Sequence, residues 1–316
     1  MQERVRSGGV GVRPIRESRW RRSWQRYTWV YLMLVPVLLY YAVFEYGPLY
    51  GLIIAFKDYS PAVGIGGSPW VGWQWFHEFF GSFYFWRVLR NTLMINVWDL
   101  LFGFTAPILL ALLLNEVTST RFRRFVQTMV YLPHFISIVV ISGLVLDLFA
   151  QNGLINDILV SLGGTRTAYM SDPGSFQGIY VGSGIWQSVG WGSIIYLAAL
   201  AGINPSLYEA ARVDGAGRWH LVRHVTLPGM MPTIITLLIL RIGQMMSVGF
   251  EKIILLYNPS TYETADVIST TVYRRGLLEA NFSYGAAVGL FNAVIALALL
   301  LLANRLSRTF TGSSLW

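Results

Sequence analysis

The sequence contains no cysteine, which excludes disulfides, thiol nucleophiles and Cys-ligated zinc. Lysine is almost absent too: of the 24 basic residues only Lys57 and Lys252 are not arginine. Charge of either sign is scarce, at 13% of residues against the roughly 25% of an ordinary soluble domain. A soluble globule of this composition could not cover its own surface. No GxxxxGK[ST] segment occurs, so the chain has no phosphate-cradling loop of the kind that binds ATP. There is no repeat of fixed period, and the apolar segments do not divide into two inverted halves. What is abundant is apolar: 54% of 316 residues are hydrophobic and the mean hydropathy is +0.50. With 12 Trp, 17 Tyr and 18 Phe, intrinsic disorder is excluded as well.

A bilayer span needs about 20 mostly apolar residues. Six segments satisfy this: 28–56, interrupted by Glu45 and expected to bend at Gly47 and Pro48; 91–115, with Asp99 its only charge; 125–146; 179–202; 225–250, interrupted by Arg241; and 280–304. The expected fold is therefore all-α and polytopic, with six transmembrane helices and both termini on one side. The first apolar run is too long for a cleavable signal peptide and lacks a small-residue cleavage pattern, so it should remain in place.

Orientation follows from the basic residues, which are retained on the cytoplasmic side. With the termini inside, 16 basic residues fall in cytoplasmic segments, eight of them before Tyr27, against 7 in the outer loops, Lys57 and Lys252 included. The reverse orientation inverts the bias. The basic tail, residues 1–27, is then a topogenic segment lying on anionic headgroups rather than a nucleic-acid patch. A span domain over 28–308 and a short tail, 309–316, complete the expected organisation.

One cytoplasmic loop, 204–228, has a specific pattern. Asn204 is a good N-cap, with Pro205 at the first helical position where its missing N–H costs nothing. Glu209 follows near the first turns, where negative charge suits the helix dipole. Ala210 and Ala211 leave a small-residue face for close approach, Gly215 and Gly217 permit a backbone reversal, and Pro228 marks the start of the fifth span. Physically this is a short helix, a turn and a second short helix.

The string EAARVDGAGRWHLVRHVTLPGMMP closely resembles the EAA loop of binding-protein-dependent ABC importer permeases. Further stretches are similar to the oligosaccharide and polysaccharide branch of that family, the LplB-like permeases: Tyr46-Gly47-Pro48-Leu49-Tyr50-Gly51, Tyr131-Leu132-Pro133, Val248-Gly249-Phe250-Glu251 and Tyr273-Arg274-Arg275-Gly276-Leu277 among them. The resemblance covers residues 28–308. It implies a type I importer permease fold and a subunit that catalyses no reaction itself. Its partners would be a second, related permease, two ATPase subunits holding ATP and Mg, and an extracytoplasmic solute-binding protein delivering a carbohydrate across a bacterial cell membrane. In that family the EAA loop is the coupling helix. Carried over, Glu209 would make the charged contact to the ATPase, Ala210 and Ala211 the close approach, Asp214 and Gly215 the turn, and Leu227 with Pro228 the tie to the fifth span.

Arg241 is costly at bilayer depth, by about 2.5–3.5 kcal/mol on insertion scales, so it should face protein or water. An ion pair with Asp99 or with Glu251 is the structural reading; contact with a sugar hydroxyl or uronic carboxylate is the functional one. Sugars stack on aromatic rings while amides and carboxylates take their hydroxyls. Trp98, Trp186, Trp191 and Phe250, with Gln187, Gln244 and Glu251, are the candidates for a substrate path, against the alternative that the aromatics belt the interfaces. His220 and His224 are spaced i, i+4 without a further ligand, and no metal site is expected. The competing classes are an ion-coupled secondary carrier, which would use membrane carboxylates without an ATPase, and a membrane-embedded enzyme, which would need an intramembrane cluster of carboxylates or histidines.

Overall fold

The structure is a computed structural model that describes residues 19–311. Residues 1–18 of the basic tail and 312–316 of the C-terminal one lie outside the described residues. The described chain is helical and has no strand, only an isolated bridge between Lys57 and Trp70. It divides into a first unit ending at Ile53 and a second that runs from Ile54.

The first unit holds α1 (Arg19–Tyr40), with a break in helical geometry at Tyr27 and Pro36 in its interior. Its winding then widens to a π turn over Tyr41–Tyr46 and tightens to a 3₁₀ segment at Gly47, ahead of Pro48. The expected bend at this pair is a change of winding: proline removes an N–H and crowds the preceding turn, so the hydrogen-bond spacing has to shift. Met33, Leu38 and Phe44 are all exposed.

In the second unit the helices are α2 (Phe85–Trp98), α3 (Thr105–Glu116), α4 (Thr120–Tyr131), α5 (Ile138–Leu148), α6 (Pro173–Ala201), α7 (Pro205–Val213), α8 (Leu227–Gly243), α9 (Phe250–Leu256) and α10 (Phe282–Thr311). Four helices are long and apolar enough to cross a bilayer: Arg26–Phe56, Phe85–Glu116, Arg218–Gly243 and Phe282–Thr309. The second joins α2 to α3 through a π turn at Asp99–Gly103.

The third expected span is not a straight helix. Thr120–Phe135 and Ile138–Leu148 meet at 102°, and together they could count as one broken span. Pro133 sits in a 3₁₀ turn, Ser137 leaves the helical region, and its hydroxyl accepts the Val140 N–H as the cap of α5. An uncharged apolar run gives no warning of this, because capping and not polarity makes the break. The fourth segment lies in α6, whose 29 residues are about 43 Å long. Its glycines, serines and Gln187 dilute its apolarity, so it does not rank with the four. It is nevertheless the hub of the unit, packed against α3, α4 and α8. Close approach needs a missing side chain there: a Cβ on Gly190 would stand 2.1 Å from the Val130 carbonyl oxygen of α4.

The core is assembled around this hub. Ile95, Ile141, Phe176 and Ile253 bury together, Phe79, Val88, Met246 and Tyr284 form a second cluster, and α8 lies along α10 through Ile239 and Leu300.

Candidate functional site

Polar side chains of this apolar unit line a cleft of about 310 Å³ beside the middle of the Phe85–Glu116 helix. Asp99 enters it from the π turn and Arg241 from the last turn of α8. Their side chains form an ion pair, so of the two acids weighed for Arg241 the partner is Asp99. Glu251 is exposed and does not line the cleft. Asn96, Gln187, Ser188 and Gln244 add amide and hydroxyl groups to the walls.

The candidates for a substrate path therefore separate. Gln187 and Gln244 line the cleft. Trp186 projects from another side of α6 into an apolar recess with Leu144, Leu148 and Phe149. Trp191 stacks on His134 at 4.5 Å between ring centroids, and exposed Trp98 stacks on Phe102. Phe250 meets Tyr273 edge-on. None of these aromatics belongs to the cleft lining.

Lys252 was missed. It was counted as an outer-loop charge, yet it is only 6% exposed and lines the cleft. Its Nζ donates to the Tyr180 carbonyl at 2.9 Å and lies 4.9 Å from the centre of the Tyr180 ring. The available signal was a lone lysine inside the apolar stretch of α9, where Ile253 and Leu256 are buried.

At the opposite end from α7, a buried carboxylate organises the loops. Asp266 accepts from Arg274 at 2.7 Å, from Arg87 at 3.4 Å and from the Thr270 hydroxyl at 2.7 Å. Asn91 donates to the backbone carbonyls of Glu263 and Asp266, both at 2.9 Å. Arg87 and Arg274, also counted as loop charges, are thus half-buried partners of a buried carboxylate. At the start of α6, Asp172 caps the helix. The Ser175 hydroxyl and then the Gly174 N–H hold its carboxyl below the usual range.

The loop 204–228 forms α7, a turn, and a short helix at Arg218–Leu221. Asn204 accepts the Ser206 N–H at 3.0 Å and Pro205 opens the helix, as its position suggested. Glu209 and Ala210 are exposed and Ala211 is half-buried. Asp214 ends α7, and Gly215 has φ +80°, a left-handed conformation that glycine adopts without penalty. The Tyr208 hydroxyl and the Thr226 hydroxyl are 3.1 Å apart, which ties α7 to the foot of α8. Leu227 is half-buried and Pro228 exposed. The helix that carries the fifth expected span begins before Pro228 and ends short of Phe250: it is continuous over Arg218–Gly243. A π turn at Val222–Thr226 absorbs the proline, whose ring would clash with the carbonyl four residues back in a regular helix. His220 and His224 stack at 5.9 Å, and no group of three metal-ligating side chains exists among the described residues.

A long-helix membrane unit with an internal polar cleft and a capped helix-turn-helix at one end defines a transport permease. The chain belongs to the family of binding-protein-dependent transport system inner membrane components, whose model matches residues 103–311. It is 44% identical to the protein LplB of Bacillus subtilis (strain 168) over 94% of each chain. It is also 44% identical to the polygalacturonan/rhamnogalacturonan transport system permease protein YteP of the same organism, over 89% of this chain and 88% of that one. Among solved structures it is similar to a chain of a bacterial ABC transporter involved in the import of the acidic polysaccharide alginate. The identity there is 47% with a TM-score of 0.87, covering 93% of this chain and 99% of that one. The fold is accordingly that of a type I ABC importer permease.

Proposed function

We propose that this chain is one permease subunit of an ATP-driven importer for an acidic oligosaccharide. A solute-binding protein delivers the sugar on the outer side, and two partner ATPase subunits supply the energy through the loop 204–228. A second, related permease completes the pore, and both termini face the cytoplasm. The observation that carries this reading is the central cleft: in an apolar chain, amides, hydroxyls and a surplus of positive charge converge at mid-helix, as binding of a polyhydroxylated acid requires. The reading is supported by the alginate and polygalacturonan named for similar proteins, and by a structure of that alginate transporter in complex with an alginate pentasaccharide-bound periplasmic protein. In this reading α7 presents Glu209 to the ATPase, and Tyr208 with Thr226 passes its displacement to α8. Arg241 and Asp99 hold the α2 and α8 walls of the cleft together. The test is uptake of a labelled oligogalacturonide into cells that express the chain with its partner subunits: it should require ATP and the solute-binding protein.

A further inference from the structure

We infer that Lys252, and not Arg241, is the residue that reads the substrate's negative charge, a role that rests on the import of an acidic oligosaccharide proposed above. Only three charged side chains line the central cleft: Asp99, Arg241 and Lys252. Arg241 is committed to Asp99, and that pair is neutral as a unit. Lys252 is the surplus cation. Among the described residues no carboxylate is in ion-pair contact with it; Asp99 attracts it across the cleft but is paired with Arg241.

A lysine this buried is almost always paired. An ammonium has three N–H donors and no acceptor, and one of the three is used on the Tyr180 carbonyl at 2.9 Å. The Tyr180 ring, 4.9 Å away, supplies further attraction for the cation but no hydrogen-bond acceptor in the plane of an anion. Lys252 lines the cleft, so its remaining donors are within reach of a ligand there. Gly184, which carries no side chain, lines the cleft beside the ammonium. A carboxylate of a uronic acid residue matches the ammonium in charge and in acceptor number, while Gln187, Ser188 and Gln244 line the same cleft and can meet its hydroxyls.

The division of labour between the two cations also follows from their surroundings. A ligand at Arg241 would have to compete with Asp99 for the guanidinium, whereas a ligand at Lys252 has no ion-paired carboxylate to displace. Selectivity for acid over neutral sugar is then a property of one side chain on α9.

The experiment is ATP-dependent uptake by the complete importer, purified with its partner subunits and solute-binding protein and reconstituted in vesicles. It compares an oligogalacturonide with the same oligosaccharide after reduction of its carboxyl groups to alcohols, both presented at saturating binding protein. The unsubstituted importer should prefer the acid. Lys252→Met, which keeps the length of the buried stem, should lose roughly tenfold or more of acid uptake and leave uptake of the reduced sugar nearly unchanged. Lys252→Arg should retain the preference, and the double variant Arg241→Met with Asp99→Asn should retain it as well. If Lys252→Met lowers both sugars equally, or neither, Lys252 does not read the charge. If the unsubstituted importer takes up both without preference, the assignment falls without recourse to any variant, while the proposed import of oligosaccharides stands. Absence of ATP-dependent uptake of either sugar would instead overturn the importer reading itself.

Discussion

Arg241 shows what an isolated charge in a span implies and what it leaves open. Its cost at bilayer depth required a partner, and two acids were within reach in sequence; only the folded chain selects Asp99, because the π turn at Asp99–Gly103 sets where that side chain enters the cleft. Arg241→Met should therefore lower the yield of assembled complex, with an unpaired carboxylate costing about 1–3 kcal/mol. Adding Asp99→Asn should restore much of the yield, whereas adding Glu251→Gln should not, and quantifying the complex recovered from membranes checks both. Gly190 carries a second prediction at this scale. A Cβ there would overlap the Val130 carbonyl, which is backbone and cannot swing away. Gly190→Ala should cost about 1–3 kcal/mol of packing strain and lower the melting midpoint of the purified complex, while Gly178→Ala on the same helix, where a Cβ meets nothing within 4 Å, should not. For Lys252 the sequence offered only a lone lysine in an apolar stretch; its partner Tyr180 is 72 residues away. Asp266 has local partners in Thr270 and Arg274, but its contact with Arg87 spans 179 residues.

At the scale of elements, the loop 204–228 was the most legible part of the chain, because caps and turns are local: Asn204, Pro205 and Gly215 do in the structure what their residue types favour. The continuation of the helix through Pro228 was not legible, since a π turn leaves no signature in hydropathy. The same applies to α4 and α5, where the apolar run gave a span and capping by Ser137 made a 102° break. For coupling, Glu209 is exposed on α7 and free to meet a basic surface. A charge-assisted contact of this kind is worth about 1.5–3 kcal/mol, so Glu209→Ala should reduce substrate-stimulated ATPase activity of the complex by roughly tenfold or more while membrane insertion is unchanged. Tyr208→Phe removes only the tie to Thr226, and should lower the stimulation without weakening ATPase docking. Full stimulation in both variants would remove the loop from the coupling route.

For the whole molecule, composition alone excluded a soluble protein and gave the all-α membrane class, and the spacing of charges gave the long helices. It did not distinguish a helix that merely spans from α6, which organises the unit and is diluted in apolarity because neighbouring backbones approach it. The proposed orientation rests on 16 basic residues against 7, and the balance stays on that side when buried Lys252 is taken out of the outer set. Single cysteines introduced into this cysteine-free chain should react with an impermeant thiol reagent in intact cells at Ser60 and not at Arg212; labelling at Arg212 alone would reverse the topology.

The most direct test of the central claim is accumulation of labelled oligogalacturonide inside vesicles that contain the complete importer. Accumulation should occur only when ATP is supplied on the side of the loop 204–228 and the loaded solute-binding protein on the other, and Glu209→Ala should depress it. Accumulation driven by an ion gradient in the absence of ATP would contradict the account and return the chain to the secondary carriers.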